Sequence, residues 1–332
     1  MGANHSLQVG FCHPRPAAAA VLAVGLVAAL SASATAVPVF HGREATVYAT
    51  VTNPAEIEFA PDGSLFAAHN SPSNSAERIY RIPPGGGAAS LWGTQSPKDP
   101  DGLDVFGDDV YCVGEYNVWQ ADRATGTMAK WTNWTTNRNM TTIAVDELGD
   151  YGAAGDVVVG SARYTYDIEF VSAATRSSTV QVASTNLYIP RGLLFAAGTL
   201  YCVESSAIKG VWAISAAGAL TRVDDQQFAW GAPSAMVYDP ADDVFYVGDS
   251  TRDEIICLPR TGGAPEVVGT GFTAVDGLAF GPDGKLYVAD SPGNVVWQAV
   301  PEPGTLLLLF AAAALPLSRR RRSSQASSHP LR

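Results

Sequence analysis

A short pattern returns six times along this chain, and it constrains the fold more than any single residue. A leading apolar residue, often followed by an aromatic, and then small or apolar residues end in a polar turn. The copies are Leu65-Phe66-Ala67-Ala68, Val110-Tyr111-Cys112-Val113, Val157-Val158-Val159-Gly160, Leu200-Tyr201-Cys202-Val203, Phe245-Tyr246-Val247-Gly248 and Leu286-Tyr287-Val288-Ala289. They begin 45, 47, 43, 45 and 41 residues apart. A near-constant period of this length marks an array in which one supersecondary unit stacks on the next.

Each copy has the same neighbours. Upstream lies an apolar stretch that ends in a turn: IEFAPDG, GLDVFGD, GLLFAAG, AMVYDPADD and GLAFGPDG. In Pro61-Asp62-Gly63 and Pro282-Asp283-Gly284 the proline presets one dihedral and the glycine takes the positive one, which makes hairpin turns. Downstream come RIYRI, NVWQA, DIEFV, GVWAI, EIICL and NVVWQA, and most copies end in a weaker fourth strand such as ASLWGT or EVVGTG. Four short strands form one twisted antiparallel sheet that cannot bury both of its faces alone, and radial stacking buries them. The fold expected is an all-β, six-bladed β-propeller of four-stranded antiparallel blades. The sixth copy stops after its third strand, and an extra strand, Ala45 to Val51, precedes the first. That N-terminal strand is expected to close the last blade.

Charge and cysteine usage narrow the function classes. Six of the 21 basic residues (Arg15, Arg319 to Arg322 and Arg332) sit in the terminal segments, leaving 15 against the chain's 32 acidic groups, a formal charge of −17. This disfavours nucleic acid and anionic membrane surfaces as partners. Cys112, Cys202 and Cys257 fall on strands, with Cys112 and Cys202 in the same slot of non-adjacent blades. They are expected as small buried hydrophobes, not as a disulfide or a zinc site. His41 and His69 are the histidines available to the propeller, so a histidine-rich metal site or a Ser-His-Asp triad has little to draw on. The run Pro84-Gly85-Gly86-Gly87 opens no helix and reads as a hairpin connection, not a phosphate loop. Trp119, Trp212 and Trp297 share one third-strand slot, a packing position. Trp131 and Trp134, in WTNWTTNRN, could pack or stack on sugar rings. Asp249 and Asp290, each followed by serine, read as side-chain-to-backbone turns.

The two ends carry addressing signals. Ala17 to Leu30 is an apolar run ahead of Ala34-Thr35-Ala36, the pattern of a secretory signal peptide over residues 1–36. A linker is expected at 37–44 and the propeller at 45–299. Val300-Pro301-Glu302-Pro303 then precedes the short apolar run Leu306 to Leu317 and Arg319, Arg320, Arg321 and Arg322. The arginines orient the segment with its C-terminus in the cytoplasm, leaving 323–332 as a basic tail.

VDGLAFGPDGKLYVADSPGNVVWQAV resembles the repeat of NHL-type propellers and the blades of the gluconolactonase and regucalcin group of calcium-dependent lactonases. In that group the residue just before the apolar core of each first strand points into the central channel, and several such residues hold a divalent cation. Aligned on the G-L-x-F pattern, these slots hold Ala55, Asp101, Thr141, Arg191, Ser234 and Asp276, with Glu56 next to the first. The resemblance implies channel-lining roles for all of them and, for Asp101 and Asp276, a role as ligands to calcium or another divalent cation. Alanine at the first slot and the positive charge of Arg191 depart from the lactonase pattern. Residues 300–322 resemble the PEP-CTERM sorting signal of Gram-negative bacteria. That resemblance implies transient insertion in the inner membrane, processing by an exosortase-type enzyme, and a propeller on the periplasmic side that then reaches the cell surface or exterior. Two readings of function stand. In one the chain is a non-catalytic propeller that binds a ligand, an envelope polymer or a partner, with no established cofactor. In the other it is a divalent-cation-dependent hydrolase of lactones or esters.

Overall fold

The computed structural model describes residues 37–69, 78–114, 116–135, 138–162, 167–182 and 187–299. The expected signal peptide, sorting signal and tail lie outside them. Among the described residues no helix is long and apolar enough to cross a membrane.

The six repeats form six antiparallel sheets arranged as the blades of a propeller, each running outward in chain order from its first, innermost strand. Blade one comprises Pro54–Phe59, Leu65–His69, Ile79–Ile82 and Ser90–Trp92. Blade two comprises Gly102–Phe106, Asp109–Val113, Val118–Asp122 and Met128–Lys130. Blade three comprises Met140–Asp146, Asp156–Ser161, Ile168–Val171 and Ser178–Val182. Blade four comprises Pro190–Ala196, Thr199–Glu204, Gly210–Ile214 and Leu220–Arg222. Blade five comprises Pro233–Asp239, Val244–Asp249, Glu254–Pro259 and Glu266–Thr270. Blade six has Gly277–Phe280, Leu286–Asp290 and Val295–Ala299. Its fourth strand is Thr46–Thr50 from the other end of the domain, antiparallel to Val295–Ala299 with Val296 opposite Ala49 and Trp297 opposite Val47.

Stacking follows from the period-two alternation of side chains along a strand. In blade one, Leu65 and Ala67 join a cluster with Tyr287 and Ala289 of blade six, while Phe66 and Ala68 join another with Leu103 and Cys112 of blade two. Blade five repeats this: Phe245 and Val247 meet blade four, and Tyr246 meets Leu278 and Val288 of blade six. Each second strand is therefore apolar on both faces, and each inter-blade seam has its own core. Burying one such Phe or Leu side chain stabilises by about 1.5–3 kcal/mol. The P-D-G turns form as expected: Gly63 has φ 81°, and Asp62 Oδ1 accepts the Ser64 amide at 2.9 Å.

Residues 37–44, expected as a linker, add to blade five. Val39–Phe40 and Arg43–Glu44 form a small hairpin, and Val39 and Phe40 pair with Thr270 and Gly269 on its outer edge. The apolar Phe40, 2% exposed in the seam beside Tyr246 and Phe272, is the reason the segment docks. All three described cysteines are free thiols; Cys112 and Cys202 are buried, whereas Cys257 is half-buried.

Candidate functional site

The ends of the second strands set one mouth of the channel. Glu204, Asp249 and Asp290 occupy the same position in blades four, five and six, and all three are buried. Asp249 accepts the amides of Gly231, Ala232, Thr251 and Arg252 at 2.6–3.2 Å. Asp290 accepts those of Thr273, Ala274 and Gly293 and the indole N–H of Trp297 at 2.9–3.3 Å. Glu204 accepts from Ile189, Ser206 and Ile208. Each carboxylate latches the chain entering its own first strand to the hairpin after its own second strand. The turn role expected of Asp249 and Asp290 is present, and Glu204, in V-E-S, performs it too.

The serines that follow these latches, Ser205, Ser250 and Ser291, enter the wall of a cavity of about 350 Å³. Ala55, Glu56, Asp101, Arg191, Ser234 and Asp276 share that wall. The structure thus brings together every slot residue expected from the repeat except Thr141. The Thr141 side chain is buried, and its hydroxyl donates to the Pro190 carbonyl at 2.5 Å, linking blade three to blade four. Ser234 lines the cavity but is similarly engaged, donating to the carbonyls of Gly248 and Val275. In blades one, three, four and five the strand pairing slips at this slot, between Pro54 and Ile57, Met140 and Thr142, Arg191 and Leu194, and Pro233 and Ala235. Such irregularities turn a side chain away from the regular pleat.

Charge in this cavity is mixed. Burial raises the Asp276 carboxyl to about 6, against the opposing pull of the Ser291 amide and Arg191. Burial also raises Glu56 to about 8, although Arg191 acts to lower it. One guanidinium therefore serves several carboxyls.

Glu56 also lines a second cavity of about 400 Å³, bounded by residues of all six first strands or the turns after them. Its wall includes Glu58, Asp104, Glu147 and Asp150, and among the described residues that line it there is no Lys, Arg or His. Asp104 Oδ2 accepts the Val145 amide of the next blade at 2.6 Å and Oδ1 accepts the Val105 amide at 2.7 Å. Glu58 and Asp104 are only partly exposed, to the channel interior, and burial pushes both carboxyls above the usual carboxylate range. The repeat alignment did not anticipate this acidic cavity. Its signal was present as acidic residues inside apolar first strands, I-E-F and L-D-V.

The donor chemistry does not fit a divalent cation. Hard cations take six to eight oxygens. Here Ala55 offers no side-chain oxygen, Thr141 points elsewhere, the Ser234 hydroxyl is tied to carbonyls, and Arg191 brings a fixed positive charge beside Asp101 and Asp276. Among the described residues no three His, Cys, Asp or Glu side chains converge in a metal-holding group. His69 is buried at the end of a blade-one strand against Tyr80. His41 lies at the hairpin on blade five, edge-on to Phe40. Neither lines the cavity.

No family model and no curated protein matches the sequence. Solved structures do match the fold. A calcium-binding protein, regucalcin, from Agrobacterium tumefaciens superposes with TM-score 0.60 at 15% identity, covering 75% of this chain and 90% of that one. A chain of a nidogen/laminin complex gives 0.56 at 18% identity, covering 66% and 84%. An auxiliary nutrient binding protein from Bacteroides thetaiotaomicron gives 0.57 at 13% identity, covering 75% and 69%. At these identities the likeness extends to the propeller fold and no further.

Proposed function

We propose that this chain is an exported, non-catalytic propeller that binds a small polar ligand in the cavity around Arg191. The observation that supports the reading is the wall itself: one arginine among Glu56, Asp101 and Asp276, edged by Ser205, Ser250 and Ser291. Such a wall matches a molecule with an acidic group for the guanidinium and hydroxyl or ammonium groups for the carboxylates. Among the described residues that line it there is no histidine base, and no three of their carboxylates converge to hold a cation, which is the observation against the lactonase reading. Export rests on the sequence of residues 1–36. Sorting by an exosortase-type enzyme rests on Val300 to Pro303 and the four arginines.

Thermal unfolding of the full-length protein in the presence of sugar acids and amino acids tests the binding reading. At least one of them should raise the midpoint, and Arg191→Ala should abolish the rise. Calcium-dependent hydrolysis of a sugar lactone would overturn it. Mass analysis of the protein recovered from its native host tests processing, with new ends expected near Val37 and near Val300.

A further inference from the structure

A cleft of about 320 Å³ lies on blade two and shares no lining residue with the channel cavity. It is built from three separate stretches: Ser96 and Lys98 ahead of the blade, Tyr116 to Trp119 at its second hairpin, and Lys130 and Trp134 after it. Two of the chain's four lysines are here, together with two tryptophans and a tyrosine. Among the described residues that line it there is no carboxylate. The chain carries 32 acidic against 21 basic groups, so two lysines beside three aromatic rings make this cleft a local exception to its charge.

The cleft is held open by its own framework. A β-carbon on Gly114 would fall 2.5 Å from the Lys98 carbonyl oxygen, where no atom fits, so only glycine lets the Lys98 segment pass this close to the hairpin. The Gly114 amide donates to the Asn117 carbonyl at 3.1 Å and closes the turn that presents Tyr116, which is 40% exposed. The buried Asn117 accepts the Trp134 amide at 3.0 Å and the Thr132 hydroxyl at 3.3 Å, fixing the far wall. Arg138 stacks 4.1 Å from the centre of the Trp134 ring and is itself paired with Glu169, so it locks that indole while Lys130 supplies charge at the cleft. Lys130 Nζ lies 5.7 Å from the centre of the Trp119 ring.

We infer that this cleft binds acidic sugars, as a short stretch of a uronic-acid oligosaccharide. Flat aromatic surface receives the apolar face of a sugar ring, and an ammonium beside it pairs with a ring carboxylate. The volume is at the lower end of the range of small-ligand sites. Carboxylates more than about 10 Å from the cleft repel such a ligand only weakly, because they are screened at 0.1 M salt. A polyanion of higher charge density, such as single-stranded nucleic acid, meets that repulsion along its whole length.

The test is calorimetry on the full-length protein with a galacturonic acid trimer as probe, and with a neutral galactose trimer and an oligothymidylate as comparisons. The acidic trimer should bind, more weakly at higher salt, and the other two should bind at least about tenfold more weakly. Lys130→Gln should weaken it by about tenfold, the loss expected for one charge-assisted contact. Tyr116→Ala, at an exposed position that leaves the core intact, should also weaken it, whereas Arg191→Ala should leave it unchanged. Equal binding of the acidic and neutral trimers, tighter binding of the oligonucleotide, or unchanged affinity in Lys130→Gln and Tyr116→Ala together would each overturn the assignment. Loss of binding in Arg191→Ala alone would move the ligand to the channel cavity and overturn it as well.

Discussion

Asp290 shows how much a single side chain can hold in a fold made of small sheets. Its two oxygens accept three backbone amides and the Trp297 indole from within a fully buried position. Asp290→Ala leaves these buried donors without their partner and should cost about 3 kcal/mol or more. Urea unfolding would read this as a lower midpoint, with a smaller loss for Asp290→Asn, which keeps one acceptor oxygen. The role of Asp290 could be read from V-A-D-S, because an aspartate at the end of an apolar strand has few other uses. Glu204 escaped because glutamate is not a usual turn former, and its longer side chain reaches the same amides only once the hairpin is built. Thr141 was misplaced for a related reason. The repeat alignment gives a residue's slot, but a slipped strand register decides where its side chain points.

At the scale of the element, the strand Thr46–Thr50 has the greatest consequence for its length. It supplies Ala49 to the seam between blades six and one, and Val51 just beyond it joins the same cluster. Without it Val295–Ala299 becomes an unpaired edge, with Tyr287 and Val296 uncovered beside it. A chain shortened to begin at Asn53 should lose on the order of 10 °C in its thermal midpoint, the shift expected for a loss of several kcal/mol. It should also bind a hydrophobic dye at temperatures where the intact protein does not. This closure was legible because the sixth repeat lacks a fourth strand and the first has one to spare. The hairpin at residues 39–44 was not legible, since two-residue strands carry no periodicity and dock only through Phe40. The Lys98 to Trp134 cleft was hidden for another reason: its three stretches acquire meaning only when Gly114 brings them together.

For the whole molecule, the acidic channel ties stability to pH. Glu56, Glu58, Asp104 and Asp276 all have folded-state pKa values above their ordinary range, chiefly through burial. Between about pH 4 and pH 8 the folded state therefore holds more protons than the unfolded one, and stability falls as pH rises through that window. The surface carboxylates Asp62 and Asp283, shifted down, work in the opposite direction, but their contribution is complete by about pH 5. The midpoint should therefore decline steadily from pH 5 to pH 8. Glu58→Gln should flatten the decline, raising stability at pH 8 relative to pH 5. A glutamine that destabilised equally at both values would show that Glu58 acts through packing alone.

The pairing of Thr46–Thr50 with Val295–Ala299 also bears on connectivity. With Thr46 opposite Gln298, the two points at which the chain enters and leaves the ring lie on neighbouring strands. A short linker from Ala299 to Ala45 could join them, and the ring could be opened instead at any connection between blades. In that sense the propeller is a circle of chain whose starting point is a matter of history. The order of its blades is set by which seams fit, and a chain opened elsewhere would keep every one of those seams.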